Sequence, residues 1–149
     1  MYLCSEEKYI DMFEKEERSR FKYWFAHWCA YQMTALNNKC WKFKYLFHDI
    51  EKPFMLYFYM LIYRMTHEEA YKKVQKYHRL NNKHHIEYKG KNKDYDAMVI
   101  DWECSRFTKS ASPLTAWEEI DKKINEGKLS DKDIFELKNS VIKLGLKID

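Results

Sequence analysis

An all-α fold is predicted, and three observations carry the expectation. The 149 residues include only 3 glycines and 2 prolines, too few chain breaks for a hairpin-rich protein. Apolar side chains recur at helical spacing in several windows. Two windows open on reciprocal capping signals, Thr66-x-x-Glu69 and Ser130-x-x-Asp133. With 34% charged and 17% aromatic residues the composition is that of a folded domain, and the length suits a single domain, 1–149, with a sizeable core.

The elements follow in order. Residues 5–19 are strongly charged with a thin apolar line at Tyr9, Ile10 and Phe13, which predicts a surface helix covering the core. From Ser19 to Leu36, Tyr23, His27, Ala30, Tyr31 and Thr34 recur on one helical face, and Asn37-Asn38 ends the helix. A second helix over Trp41–Asp49 would place Trp41, Tyr45 and His48 on one side, stopped by Pro53 because the residue before proline avoids the α region. The run 54–64 has no polar face, so it is either a buried helix or an interface, including one with another copy of the chain. Thr66 opens a helix to about Leu80 with His67 exposed in its first turn; Asn81-Asn82 ends it, leaving Lys83-His84-His85 in a loop. Asp94 would cap a helix to Phe107 whose Ala97, Met98, Asp101, Cys104 and Ser105 share a face. Ser112-Pro113 reads as the start of a helix closed by Glu126-Gly127. The last helix, from Ser130, carries the stripe Ile134, Leu137, Val141 and Leu144, so that 112–149 packs back on the core.

Charge and composition narrow the function classes. A net charge of +4 is mild, and 27 Lys and Arg are dispersed among 23 acids without a basic block, which disfavours a nucleic-acid binder. The N-terminus has acids where an export signal would carry its apolar core, so a cytoplasmic protein is expected. The apolar run from Phe54 to Tyr63 falls short of the ~18 residues that span a bilayer, so no membrane partner is expected. The four cysteines form no C-x-x-C pair, which argues against a thiolate zinc site.

The chemistry gathers in imidazoles and carboxylates. By itself His48-Asp49 would be an ordinary polar helix end, and His27 a core histidine bonded to a carbonyl. All six histidines, however, lie between positions 27 and 85. The ordered set His27, His48-Asp49, His78, His84-His85 and Asp101 resembles the HD-domain superfamily of metal-dependent phosphohydrolases, and His48-Asp49-Ile-Glu-Lys52-Pro53 is similar to its signature. The segments around Lys76–Tyr88, Met98–Trp102 and Ser112–Trp117 resemble the uncharacterised DUF5662 family of bacteria and phages. The likeness covers about 20–120.

The resemblance implies an HD-like helical bundle in which His27, His48, Asp49 and Asp101 hold one metal. Asp49 would bridge to a second ion held by His78 and either His84 or His85. One of these adjacent histidines would ligate while the other orients it or meets substrate. A nitrogen-rich, thiolate-free set suits Mn, Fe, Co, Ni or Zn better than Mg or Ca. Lys52 is the candidate for a substrate phosphate, with Arg79, Lys83 and Arg106 as secondary candidates. Glu51 departs from the small residue usual in the signature, and the extension typical of cyclic-dinucleotide phosphodiesterases is absent. The expectation is a phosphohydrolase, with Asp49 and Lys52 in its catalytic machinery, acting on a nucleotide or other small phosphorylated molecule. The alternatives are a di-iron oxygenase on the same scaffold, or a phage or bacterial effector that binds metal or nucleotide without turnover.

Overall fold

A computed structural model describes residues 20–108, 113–146 and 148; the expected helix over 5–19 lies outside them. The described residues form six α-helices and one 3-10 turn: α1 Arg20–Asn37, the turn Phe43–Phe47, α2 Glu51–Ile62, α3 His67–Asn81, α4 Tyr95–Ser105, α5 Ala116–Asn125 and α6 Asp131–Lys143. The all-α expectation holds. None of these helices is long and apolar enough to cross a membrane. The chain divides into two compact units, one of described residues up to Leu46 and from Tyr95 onward, the other Phe47–Asp94.

In the first unit α4 is the central element, packed by α1, α5 and α6. It is buried almost all round, because Ala97, Met98, Val99 and Ile100 present apolar surface in every direction within one turn. Small residues Ala26, Ala30 and Ala35 let α1 approach closely, and Ile120, Leu137 and Val141 seal the other sides. The 3-10 turn is tied to α1 by Trp28 Nε1 donating to the Leu46 carbonyl (3.0 Å) and Gln32 Nε2 donating to the Tyr45 carbonyl (2.6 Å). The Ser130 capping box forms as expected, and Gly127 closes α5 in the left-handed region, φ 65°, where a side chain would be strained.

One helix start and one helix end differ from expectation here. Ser112 lies outside the described residues, but α5 begins only at Ala116, because Thr115 accepts the Glu118 N–H and Glu118 reaches back to the Thr115 N–H. The reciprocal box three residues on outweighs the Ser-Pro signal. Glu103, buried on α4, accepts the Ala116 N–H at 2.8 Å and fixes that start in the core. At the other end α4 stops at Ser105, not Phe107, and continues as a turn.

In the second unit α2 packs on α3. The expected helix over Trp41–Asp49 is replaced by the short 3-10 turn, which hands over to Asp49 in the left-handed conformation, φ 58°. Pro53 does not stop a helix there. It sits in the first turn of α2, where a missing N–H leaves no bond unmade. No residue of α2 is fully buried, which excludes the buried-helix reading of 54–64. The Thr66–Glu69 capping box starts α3 as expected, and Ala70, Val74 and His78 line its buried side at i, i+4, i+8. A backbone bond from the Asp94 N–H to the Lys83 carbonyl (2.8 Å) closes the loop that carries His84 and His85.

Candidate metal centre

His27 and Asp101 lie in the first unit; His48, Asp49, Lys52, His78, Arg79, His84 and His85 lie in the second. Within the first unit α1 and α4 bring His27 Nε2 to 2.8 Å from Asp101 Oδ1, with both residues buried. Tyr23 stacks on the His27 ring at 6.2 Å, one helical turn back. Cys104 Sγ lies 3.8 Å from His27 Nδ1. The face predicted to hold Asp101 thus meets the face predicted to hold His27, across 74 positions of chain.

The second unit holds the denser cluster. Asp49 is 2% exposed and His78 fully buried. Asp49 Oδ1 is 2.9 Å from His78 Nε2 and 3.3 Å from His84 Nε2, and the two nitrogens are 3.1 Å apart. Each Nε2 carries at most one proton and a carboxylate oxygen only accepts, so at most two sides of this triangle are hydrogen bonds. Ligands on an ion with bonds of ~2.0–2.2 Å sit about 2.8–3.6 Å apart in octahedral or tetrahedral geometry, and all three sides fall in that range. His48, Asp49 and His84 form a second overlapping donor group, and His78, His84 and His85 a third, each with its donor atoms within 4.8 Å of one another. These buried histidine and aspartate groups could hold a metal ion. His84 belongs to all three donor arrangements, while His85 joins only the one without Asp49.

The electrostatics agree with the geometry. Burial pushes the Asp49 carboxyl up, but the His48 charge, the contacts from His78 and His84, and Lys52 outweigh it and hold the group well below the usual carboxylate range. Burial pushes His78 down, yet its bonds to Asp49 and Glu51 carry it above the ordinary histidine value. Glu51, opposed by its own burial, is lowered by the His78 bond and charge. Lys52 Nζ is 2.5 Å from Asp49 Oδ2, its side chain 18% exposed, at the rim of the cluster.

Two residues here, Glu51 and Asn82, were not assigned to the site from the sequence. Glu51 Oε1 makes a short contact with His78 Nδ1 and also receives Asn82 Nδ2 at 2.6 Å. The only sequence signal was an acid where the signature has a small residue. Of the secondary phosphate candidates, Arg79 and Lys83 are exposed in the second unit, and Arg106 in the first pairs with Glu103 at 2.9 Å. No protein-family model, curated protein or solved structure matches this chain.

Proposed function

We propose that the chain is a metal-dependent phosphohydrolase of HD type acting on a nucleotide or another small phosphorylated molecule. The observation that supports it most is the triangle of Asp49 Oδ1, His78 Nε2 and His84 Nε2, with sides of 2.9, 3.1 and 3.3 Å. The donor set fits one or two divalent transition ions, Mn, Fe, Co, Ni or Zn, with His48 and His85 as further ligands. When bound, such an ion supplies Lewis acidity toward a phosphoryl oxygen and lowers the pKa of a water.

The chain's own residues do the rest. Asp49 contributes negative charge to the cluster from a left-handed backbone position that aspartate tolerates better than most residues. Lys52 has three N–H donors, one of them directed to Asp49 Oδ2, which leaves two for a phosphate arriving at the rim. Its ammonium then serves both to neutralise Asp49 and to orient the substrate.

Elemental analysis of protein purified without chelator, followed by a phosphoester panel with added Mn, Co and Ni, tests the proposal. Metal co-purifying with the parent protein, phosphate released by it, and Lys52→Ala slow or weak-binding but metal-replete would support it. Metal-free protein would refute it. Metal-replete protein that binds a nucleotide but cleaves no ester would assign a binding role instead. A site of two imidazoles and a carboxylate also suits oxygen chemistry, so oxygen consumption by the iron-loaded protein would favour the oxygenase.

A further inference from the structure

We infer that Glu51, supported by Asn82, is the positioning residue that aims His78 at the metal, an inference that rests on the metal-site reading above. His78 has no exposed surface, so its ring orientation is set entirely by protein neighbours. Its two nitrogens face different partners. Nε2 faces Asp49 Oδ1 and His84 Nε2, the donor cluster; Nδ1 faces Glu51 Oε1. A carboxylate oxygen is only an acceptor, so His78 Nδ1–H and Asn82 Nδ2–H both donate to Glu51 Oε1, and the 2.6 Å approach of Asn82 Nδ2 to Nδ1 is the consequence of sharing it. With the Nδ1 proton held there, Nε2 is the nitrogen left to offer a lone pair to an ion. Glu51 is in the first turn of α2 and Asn82 immediately follows α3, so the contact of these two helices is also what holds the imidazole. The acid that departs from the signature thereby acquires a task.

The test uses Co²⁺ alone as probe, with the full-length chain. Glu51→Ala should weaken Co²⁺ binding about 10- to 100-fold in chelator competition, and Glu51→Gln, which keeps an acceptor oxygen, should recover part of the loss. Cobalt-loaded parent protein should show a solvent-protected, hyperfine-shifted His78 Nδ1–H proton that exchanges freely in Glu51→Ala, a signal that a purely structural role would not move. Unchanged affinity in both variants, or an unchanged proton signal, overturns the positioning role while leaving the metal site standing. Parent protein that takes up no Co²⁺ overturns the site itself.

A second inference comes from a different face. Phe54, Tyr57, Phe58, Leu61 and Ile62 follow one another at i, i+3, i+4, i+7, i+8 on α2, and each is 51–75% exposed. We propose that this stripe pairs with the same stripe of a second copy. With Tyr63 it offers on the order of 700 Å² per copy, close to the ~800 Å² per partner of a standard stable interface. No charge lies between Lys52 and Arg64, so an antiparallel pair about a two-fold axis at Phe58 brings Phe54 of one copy against Ile62 of the other along an uncharged stripe. The same register sets Lys52 level with the other copy's Arg64 at each end, where the Lys52 charge is already paired with Asp49. Sedimentation should give a dimer at micromolar concentration and a folded monomer for Phe58→Glu/Leu61→Glu. A monomeric parent, a stripe found covered by any other occupant, or a dimer that survives the double substitution overturns the proposal.

Discussion

Replacing Asp49 by Asn tests whether this carboxylate is the centre of charge in the second unit. The amide keeps the shape and tolerates φ 58°, so the perturbation is the loss of the charge and of one acceptor. In chelator, His78, fully buried, and Lys52, with its side chain 18% exposed, both lose their anionic partner. Removing one member of a buried ion pair destabilises by roughly 3–5 kcal/mol. Glu51 still faces His78 and Lys52 can turn to water, so the low end, about 3 kcal/mol, applies. At about 2–4 °C per kcal/mol for a chain of this size, the melting temperature should fall by roughly 6–12 °C. Far-ultraviolet circular dichroism in the presence of chelator measures it. Asp49→Ala should lose about 1 kcal/mol more, because alanine is strained in the left-handed region. An Asn variant melting within about 2 °C of the parent, or above it, would refute the assignment of Asp49 as the stabilising anion. Metal uptake gives a second arm: loss of a ligand should exceed the ~100-fold upper range seen for loss of a residue that merely orients one.

Three further outcomes are expected in the first unit. Tyr95 donates its hydroxyl proton to Asp133 at 2.9 Å, and burial together with that bond pushes its pKa up to about 12. A raised value means the stabilisation is fully present below pH 10, the unfolded value, and is lost as pH rises toward 12. Tyr95→Phe should therefore cost about 1 kcal/mol at neutral pH and show a smaller alkaline decline, read from denaturant midpoints across that window. Glu103→Ala removes the acceptor of the Ala116 N–H and the partner of Arg106 in the core, so a loss of about 3 kcal/mol and faster amide exchange at Ala116 should follow; unchanged exchange would argue that α5 starts without it. Asp101→Asn should destabilise by about 1.5–3 kcal/mol through the charge-assisted contact to His27, and a thermal midpoint equal to the parent's would show that contact to be idle.

Much of the fold was legible because the signals that decide it act within one helical turn. The Thr66–Glu69 and Ser130–Asp133 boxes start α3 and α6 where residue spacing alone says they should. The buried side of α3 and the stripe of α6 follow from periodicity. Competing local signals were harder to weigh. Pro53 suggests a stop from the sequence alone, and the left-handed Asp49, two residues before α2, makes it a first-turn residue instead. Thr115 prevailed over Ser112-Pro113 because Glu103, buried on α4, also accepts the first N–H of α5.

By itself, then, the amino-acid order determined an all-helical chain and a collection of imidazoles and acids suited to a cation. It did not determine which of those groups meet. His27 reaches Asp101 across 74 positions and His78 reaches Glu51 across 27, distances over which no helical period or capping rule operates. Such pairs form only when α1 packs on α4 and α2 on α3, since burial makes an imidazole and a carboxylate seek each other once water is gone. Tertiary packing also left α2 with its widest apolar face uncovered. An apolar run reads the same in sequence whether it faces the interior or a partner, because hydrophobicity specifies removal from water and not the surface that achieves it.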